Sequence, residues 1–117
     1  MSFFEKIAQE YYDESHDGLI QSVAEQMAIL FSNRNDKYWA YDFNKRKMVG
    51  IHDVFHLDYY SPEFEKKLAY ALGIFDRRIF DIKVSVVKTH CGAQVFVECK
   101  AMYYDQVIKI PVLSFDL

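Results

Sequence analysis

A chain of 117 residues has the length of one domain, and a composition that is 51% hydrophobic and 17% aromatic can bury a core without a metal or a disulfide framework. The formal net charge is -3, from 14 basic and 17 acidic side chains mixed along the chain, which argues against nucleic acid or an anionic membrane surface as partner. No segment approaches the ~20 apolar residues that span a bilayer, so we expect no membrane insertion. The start lacks the order of a signal peptide, and Cys91 and Cys99 are expected to be free thiols in a reducing cytoplasm.

The first third of the chain predicts two helices. Apolar residues recur at helical spacing over Phe3–Tyr12, and turn-forming residues follow. Ser22 and Glu25 have the spacing of a capping box, in which each side chain binds a free amide at the start of a helix. We therefore expect a second helix from Ser22 to Phe31. Before it, we expect an N-terminal helix and turn over residues 1–18 that can be mobile relative to the rest of the domain.

The middle of the chain lacks a clear period until a third helix begins. Residues 38–51 combine an aromatic run with the polar turn Asn44–Lys47, so we expect an irregular region with a short extra strand. Ser61 then occupies the place of an N-cap, and Pro62 that of a first-turn residue, where its missing amide costs nothing. One apolar stripe follows as far as Phe75, where we predict that the third helix ends.

Alternation of apolar and polar residues predicts three strands after this helix. The runs are Phe80–Lys88, Gln94–Tyr104 and Val107–Phe115, and the turns between them are short enough for hairpins. Consecutive hairpins form an antiparallel meander, one face of which the helices then cover. The predicted fold class is α+β, with three helices packed on a C-terminal three-strand meander in a single domain.

One pair of histidines has a catalytic appearance. His52 and His56 are four residues apart, as in zinc proteases, with Asp53 in the place of the usual glutamate. The sequence around them does not favour a helix, and no third ligand lies at a defining distance, although folding can bring His90 or Cys91 near. We interpret both as ordinary loop histidines. Since no glycine-rich phosphate loop or serine elbow is present either, we predict no enzyme, no cofactor and no metal.

The join between the third helix and the first strand carries Asp76, Arg77 and Arg78, which we take as candidate partner-binding residues. A guanidinium group can hold a carboxylate or carbonyl of another protein through parallel hydrogen bonds. The alternative is local: the arginines favour the negative end of the preceding helix, and Asp76 makes a surface ion pair. The 9 tyrosines and 10 phenylalanines indicate either an aromatic contact surface or rings that cover a thin sheet.

Four motifs follow one another between about residue 20 and residue 117. The helix Ser22–Phe31 runs into Leu30–Arg34, a Gly-Ile-His-Asp-Val element lies within Val49–Val54, and the third helix closes on Phe75–Ile79 before the x-Val-x-Val pattern of Ile82–Val86. In this order they resemble the baseplate wedge and sheath-initiator family of contractile injection machines. That family includes the type VI secretion protein TssE and wedge proteins of phage tail baseplates.

The resemblance implies structural work and no catalysis. Residues 1–117 look like one baseplate-wedge-like domain that docks on wedge proteins, presents its sheet to the first sheath subunits and belongs to a hetero-oligomer, in the cytoplasm or in a virion tail. At the helix end the family has Phe-Glu-Pro-Arg-Leu; here Asp76 replaces the glutamate, Arg77 replaces the proline, and Arg78 keeps the arginine. An open strand edge suits β-augmentation, although Lys109 and Pro111 blunt part of that edge.

Two other functions stay open on the residues themselves. A small acidic protein-binding module, such as an immunity protein, would use the aromatic surface. A zinc-dependent hydrolase would use His52 and His56 and would need a third ligand.

Overall fold

The computed structural model, which describes residues 16–36 and 38–117, has its helices on one face of a three-strand antiparallel sheet. The predicted α+β class is therefore confirmed, and a separate two-strand hairpin supplies the extra strand expected in the 38–51 region. In chain order the elements are α1 (His16–Ser32), β1 (Trp39–Asp42), β2 (Lys47–Gly50), α2 (Ile51–Phe55), α3 (Pro62–Phe75), β3 (Ile79–Thr89), β4 (Gly92–Tyr103) and β5 (Gln106–Asp116).

The sheet has the order β3-β4-β5, which is the predicted meander. Val84 of β3 lies opposite Val97 of β4, which in turn lies opposite Leu113 of β5. Along β4 the side chains alternate between buried and more exposed positions, because successive residues of a strand point to opposite faces. The three predicted strands agree with the observed ones to within two residues at each end.

The core lies between the inner face of this sheet and the two long helices. Phe31 at the end of α1 stacks on Phe115 of β5, with 4.3 Å between ring centroids, and its edge also meets Phe55 of α2. Phe64 is completely buried and packs against the rings of Phe55 and Tyr59. The other large apolar side chains that are fully buried come from α1, α2, α3 and the sheet: Val23, Met27, Leu30, Ile51, Leu68, Leu72, Val95, Val97 and Ile110.

Helix α3 begins and ends where the sequence predicts. The Ser61 side chain accepts a hydrogen bond from the backbone N–H of Phe64 at 3.2 Å, and Pro62 is the first helical residue. Lys67 lies 3.7 Å from Glu63 in an exposed pair one turn apart. The capping chemistry and the apolar stripe both act within the helix itself, which is why they were readable from the sequence.

The predicted start of α1 at Ser22 is wrong, because the helix already begins at His16. Leu19 and Ile20 pack against the core and extend the apolar stripe by a turn before Ser22. Ser22 therefore lies inside the helix, and no capping box forms there. Gly18, expected in a turn, is helical, and the helix predicted over Phe3–Tyr12 lies outside the described residues.

The region expected to be irregular is a hairpin followed by a five-residue helix. The Oδ1 atom of Asp42 accepts hydrogen bonds from the backbone N–H groups of Asn44 (2.9 Å) and Lys45 (3.2 Å), which fixes the turn between β1 and β2. Helix α2 follows at once and contains His52, so the loop interpretation of this histidine is wrong. The buried side chains of Ile51 and Val54 hold so short a helix in place.

Replacing Phe64 by Ala is expected to lower the free energy of unfolding by about 3–5 kcal/mol, since it leaves a cavity where three rings meet. The matched variant Phe43→Ala removes a ring that is 70% exposed and is expected to change the same quantity by less than about 1 kcal/mol. Urea unfolding followed by circular dichroism measures both. Equal losses in the two variants would contradict this placement of the core.

Candidate interaction surface

The three candidate residues Asp76, Arg77 and Arg78, which we call the arginine corner, lie where α3 gives way to β3. Asp76 ends the helix in an extended conformation (φ -130°, ψ 102°), and its N–H donates to the carbonyl of Leu72 at 2.9 Å. The turn carries the chain directly into β3 at Ile79. This geometry points the Asp76 carboxylate into the protein, where the residue is only 5% exposed.

Arg78 binds this buried carboxylate with both sides of its guanidinium group. Its Nε donates to Oδ1 of Asp76 at 2.9 Å and its Nη2 donates to Oδ2 at 2.8 Å, while the Arg78 backbone N–H donates to Oδ1 at 3.1 Å. Nη1 donates to Oγ of Ser22 in α1 at 2.6 Å. The hydrogen bonds to Asp76 raise the pKa of Arg78 above its ordinary value, against the lowering effect of burial. The pair thereby ties α1 to the end of α3.

The alternative to partner binding predicted an ion pair of Asp76 at the protein surface, and the observed pair differs from it because Asp76 is buried. The Asp76 side chain is 3% exposed, whereas the Arg78 side chain is 40% exposed. A guanidinium group has five N–H donors, and the contacts above use three of them. Arg78 therefore combines a structural bond inside the chain with donors that still face outward.

Arg77 points away from Arg78 and toward the hairpin. Its Nη2 donates to the backbone carbonyl of Tyr41 at 3.2 Å, and its guanidinium carbon lies 5.4 Å from the centre of the Phe43 ring. An arginine stacked on an exposed ring keeps its charge accessible while its orientation is limited. The two arginines of the corner thus contact different parts of the protein: Arg78 binds Asp76 and α1, and Arg77 contacts the hairpin.

The outer side of the hairpin carries exposed apolar side chains. The register pairs Tyr41 with Met48 and Trp39 with Gly50, which puts Trp39, Tyr41 and Met48 on one face. All three are between 40% and 54% exposed, and Phe43 at the turn is 70% exposed. We call these four side chains the aromatic face of the hairpin. Tryptophan, tyrosine and arginine are enriched at the centres of protein interfaces, and here Arg77 contacts Tyr41 and Phe43 of this face.

The two histidines of the candidate zinc motif, His52 and His56, lie close together. The ring centroids of His52 and His56 are 6.2 Å apart, and the rings are almost perpendicular. Nε2 of His52 lies 3.1 Å from Oδ1 of Asp53, and the His52 ring meets the edge of Trp39. Within residues 16–36 and 38–117, no group of three His, Cys, Asp or Glu side chains is arranged to hold a metal ion.

The sheet presents two different edges. On β3, Oε1 of Glu65 accepts a hydrogen bond from the N–H of Val86 at 3.3 Å, and a bulge interrupts the ladder beside Asp81, whose φ is 51°. β5 pairs with β4 on one side, and within the described residues no strand pairs with its other side. Lys109 and Pro111 lie midway along this open edge. The face away from the helices exposes several apolar side chains, namely Phe80, Val87, Met102, Val107 and Val112.

Cys99 lies on the buried face of β4 and is 2% exposed. Burial raises the pKa of its thiol to about 11, and the negative charge of Asp76 adds to the effect. Cys91, by contrast, is exposed in the turn before β4. Only one of the two thiols is therefore accessible in the folded protein.

The comparisons with known proteins identify no relative. No family model matches the chain, and no curated protein and no solved structure is similar to it. No helix within the described ranges is long and apolar enough to cross a membrane.

Sequence reasoning selected the arginine corner and missed most of what surrounds it. The sequence predicts a helix cap at Ser22, whereas in the structure Ser22 accepts a hydrogen bond from Arg78, 56 residues away in the chain. Phe43 and Tyr41 were recognised as part of an aromatic run, but nothing local placed them beside Arg77. The alternating positions in that run were the signal that a hairpin would expose one side of it.

Arg78→Ala is expected to lower the free energy of unfolding by about 1–3 kcal/mol, because it leaves the buried Asp76 carboxylate without its cation. Partial exposure of the guanidinium group keeps the loss below that of a fully buried pair. Arg77→Ala, at an exposed position, is expected to cost less than about 1 kcal/mol. Denaturant titration of both variants tests the difference, and a larger loss for Arg77→Ala would refute the assignment.

The two thiols are expected to react differently with Ellman's reagent at pH 8. Native protein should release one equivalent, from Cys91, and denatured protein two. Because the pKa of Cys99 in the folded state is about 11, above its ordinary value of 9.0, the unfolded state loses this proton first, and stability should fall as pH rises from about 9 toward 11. Comparison with Cys99→Ala isolates this contribution, and two equivalents from native protein would disprove the burial.

Proposed function

We propose that the protein is a structural, non-enzymatic subunit of the baseplate of a contractile tail or type VI secretion system. In this role it docks on wedge proteins and initiates the assembly of the sheath. The observation that carries the proposal is the arginine corner, at the helix-to-strand position where the resembling family has its own acidic residue and arginine. The cytoplasm, or the tail baseplate of a virion, is the corresponding location.

The corner has the properties that docking on a partner protein requires. Arg78 is held rigidly by Asp76, so little side-chain entropy is lost when its remaining donors meet a partner carbonyl or carboxylate. Arg77 and the aromatic face of the hairpin lie beside it and supply apolar area. A charged anchor next to exposed aromatic rings is the usual composition of an interface centre.

The sheet offers a second surface, which we assign to the sheath subunits. Glu65 and the bulge at Asp81 occupy parts of the β3 edge, so β5 is the better template for an added strand. Pro111 has no N–H to donate and limits the pairing to segments on either side of it. Wedge proteins at the corner and sheath subunits at the β5 edge can therefore bind simultaneously.

A binding module for a single partner, such as an immunity protein, is the second candidate. The observation that favours it is the aromatic face of the hairpin, which by itself suffices as an anchor for one protein. Co-purification from the native host separates the two functions. Several baseplate proteins in the eluate would support the first function, and one effector protein would support the second.

Arg78→Lys is expected to abolish sheath assembly in the native host, since lysine keeps the charge but not the forked donors. The measurement counts cells with assembled sheath, using a fluorescent sheath subunit, alongside the melting temperature and cellular level of the variant. Arg46→Lys, at the exposed hairpin turn, makes the same exchange elsewhere and should assemble normally. Normal assembly with Arg78→Lys and with Arg78→Ala would rule out the corner as the docking anchor.

A further inference from the structure

A cleft between the hairpin and α3 is lined by several basic side chains, although the whole chain has a negative net charge. It has a volume of about 450 Å³, within the size range of ligand-binding pockets, and Met48 of the aromatic face is also one of its lining residues. Residues of β2, α2 and α3 line it together with the hairpin turn: Lys45, Lys47, Met48, Val49, Gly50, Asp53, Val54, Lys66, Lys67 and Tyr70. We call it the lysine cleft.

Positive charge is concentrated in this cleft. Four lysines line it against a single acidic residue, Asp53, although the whole chain carries a net charge of -3. Lys67 lies near Glu63, but Lys45, Lys47 and Lys66 form no ion pair with any acidic side chain of the described residues. The local field therefore attracts an anion that residues 16–36 and 38–117 do not provide.

The walls of the cleft are held in place by a buried carboxylate. Asp42 is 1% exposed and accepts a hydrogen bond from the Tyr70 hydroxyl as well as from the backbone of the hairpin turn. The ammonium group of Lys45 lies 4.5 Å, and that of Lys47 5.9 Å, from the centre of the Tyr70 ring. The same carboxylate thus orients the ring on which two of the lysines rest, and a ligand would meet charges that are already positioned.

The lining also contains apolar surface. Met48, Val49 and Val54 are among the lining residues, and Met48, which is 54% exposed, presents most of the accessible apolar area. Inorganic polyphosphate has no apolar part and would leave this surface uncovered, and four lysines in one cleft are too few to follow the long phosphate backbone of a nucleic acid. A peptide whose carboxylates flank an apolar side chain matches both parts of the lining.

We infer that the lysine cleft binds an acidic peptide segment of a partner protein, with glutamate or aspartate side chains on the lysines and an apolar side chain against Met48. The inference rests on the proposed function, since it supplies one further contact by which a neighbouring subunit is held. It adds a site distinct from the arginine corner, because Lys66 and Lys67 lie in the first half of α3, at the opposite end from Asp76.

Isothermal titration at low ionic strength tests the inference on the isolated full chain, with the synthetic peptide acetyl-EELLEE-amide as probe. We expect binding that weakens with added salt, and no binding of the uncharged acetyl-QQLLQQ-amide. The double variant Lys47→Gln, Lys66→Gln should weaken binding roughly tenfold. The matched double variant Lys88→Gln, Lys109→Gln removes two exposed charges outside the cleft and should change the affinity by less than about twofold.

Three results would overturn the inference: no binding of the acidic peptide, equal weakening by both double variants, or tighter binding of inorganic tripolyphosphate than of the peptide. Its failure is distinguishable from failure of the proposed function. If the peptide does not bind while assembly still depends on Arg78, only the cleft is lost. If the peptide binds while all Arg78 variants assemble normally, the cleft stands, and the arginine corner, which carries the proposed function, is ruled out as the docking anchor.

Discussion

A carboxylate buried in an apolar protein must have a cation or several hydrogen-bond donors, and the structure is organised around this requirement at Asp76. The end of α3 carries Asp76 out of water, and the ionised side chain is stable there only because Arg78 binds both of its oxygens. Arg78 in turn reaches Ser22 of α1. One ion pair therefore joins both long helices and the start of the sheet, and a single guanidinium group connects the core to the surface.

Asp42 meets the same requirement without a cation. Two backbone N–H groups of the hairpin turn and the hydroxyl of Tyr70 in α3 take the place of a charge partner. Asp42 and Asp76 are the buried charged residues of the described chain. Each of them positions cationic side chains at the surface: Asp76 holds Arg78, and Asp42 holds the turn and the ring beside Lys45 and Lys47. Buried acids thus place exposed bases, which explains how an acidic chain presents two basic surfaces.

The arrangement of these surfaces suits a protein that connects several others. The arginine corner, the lysine cleft and the β5 edge lie at different parts of the described chain, and each is formed by, or directly adjoins, its helices and strands. Under these proposals, recognition would use side chains that are already held in position by the fold. The proposals for wedge proteins, sheath subunits and an acidic segment assign one partner chemistry to each surface.

Local patterns were enough to predict α3, the three strands of the meander and the α+β class, because capping residues and apolar periodicity act over a few neighbouring residues. They also marked Asp76, Arg77 and Arg78 as an unusual polar join. Helix α2 and the bond from Arg78 to Ser22 depended on packing that no local pattern contains. The lysine cleft likewise forms only when two segments about twenty residues apart meet across Tyr70. The sequence by itself determined the elements and the types of side chain available. The tertiary structure alone decided which carboxylates became buried, and with that, where the free positive charges lie.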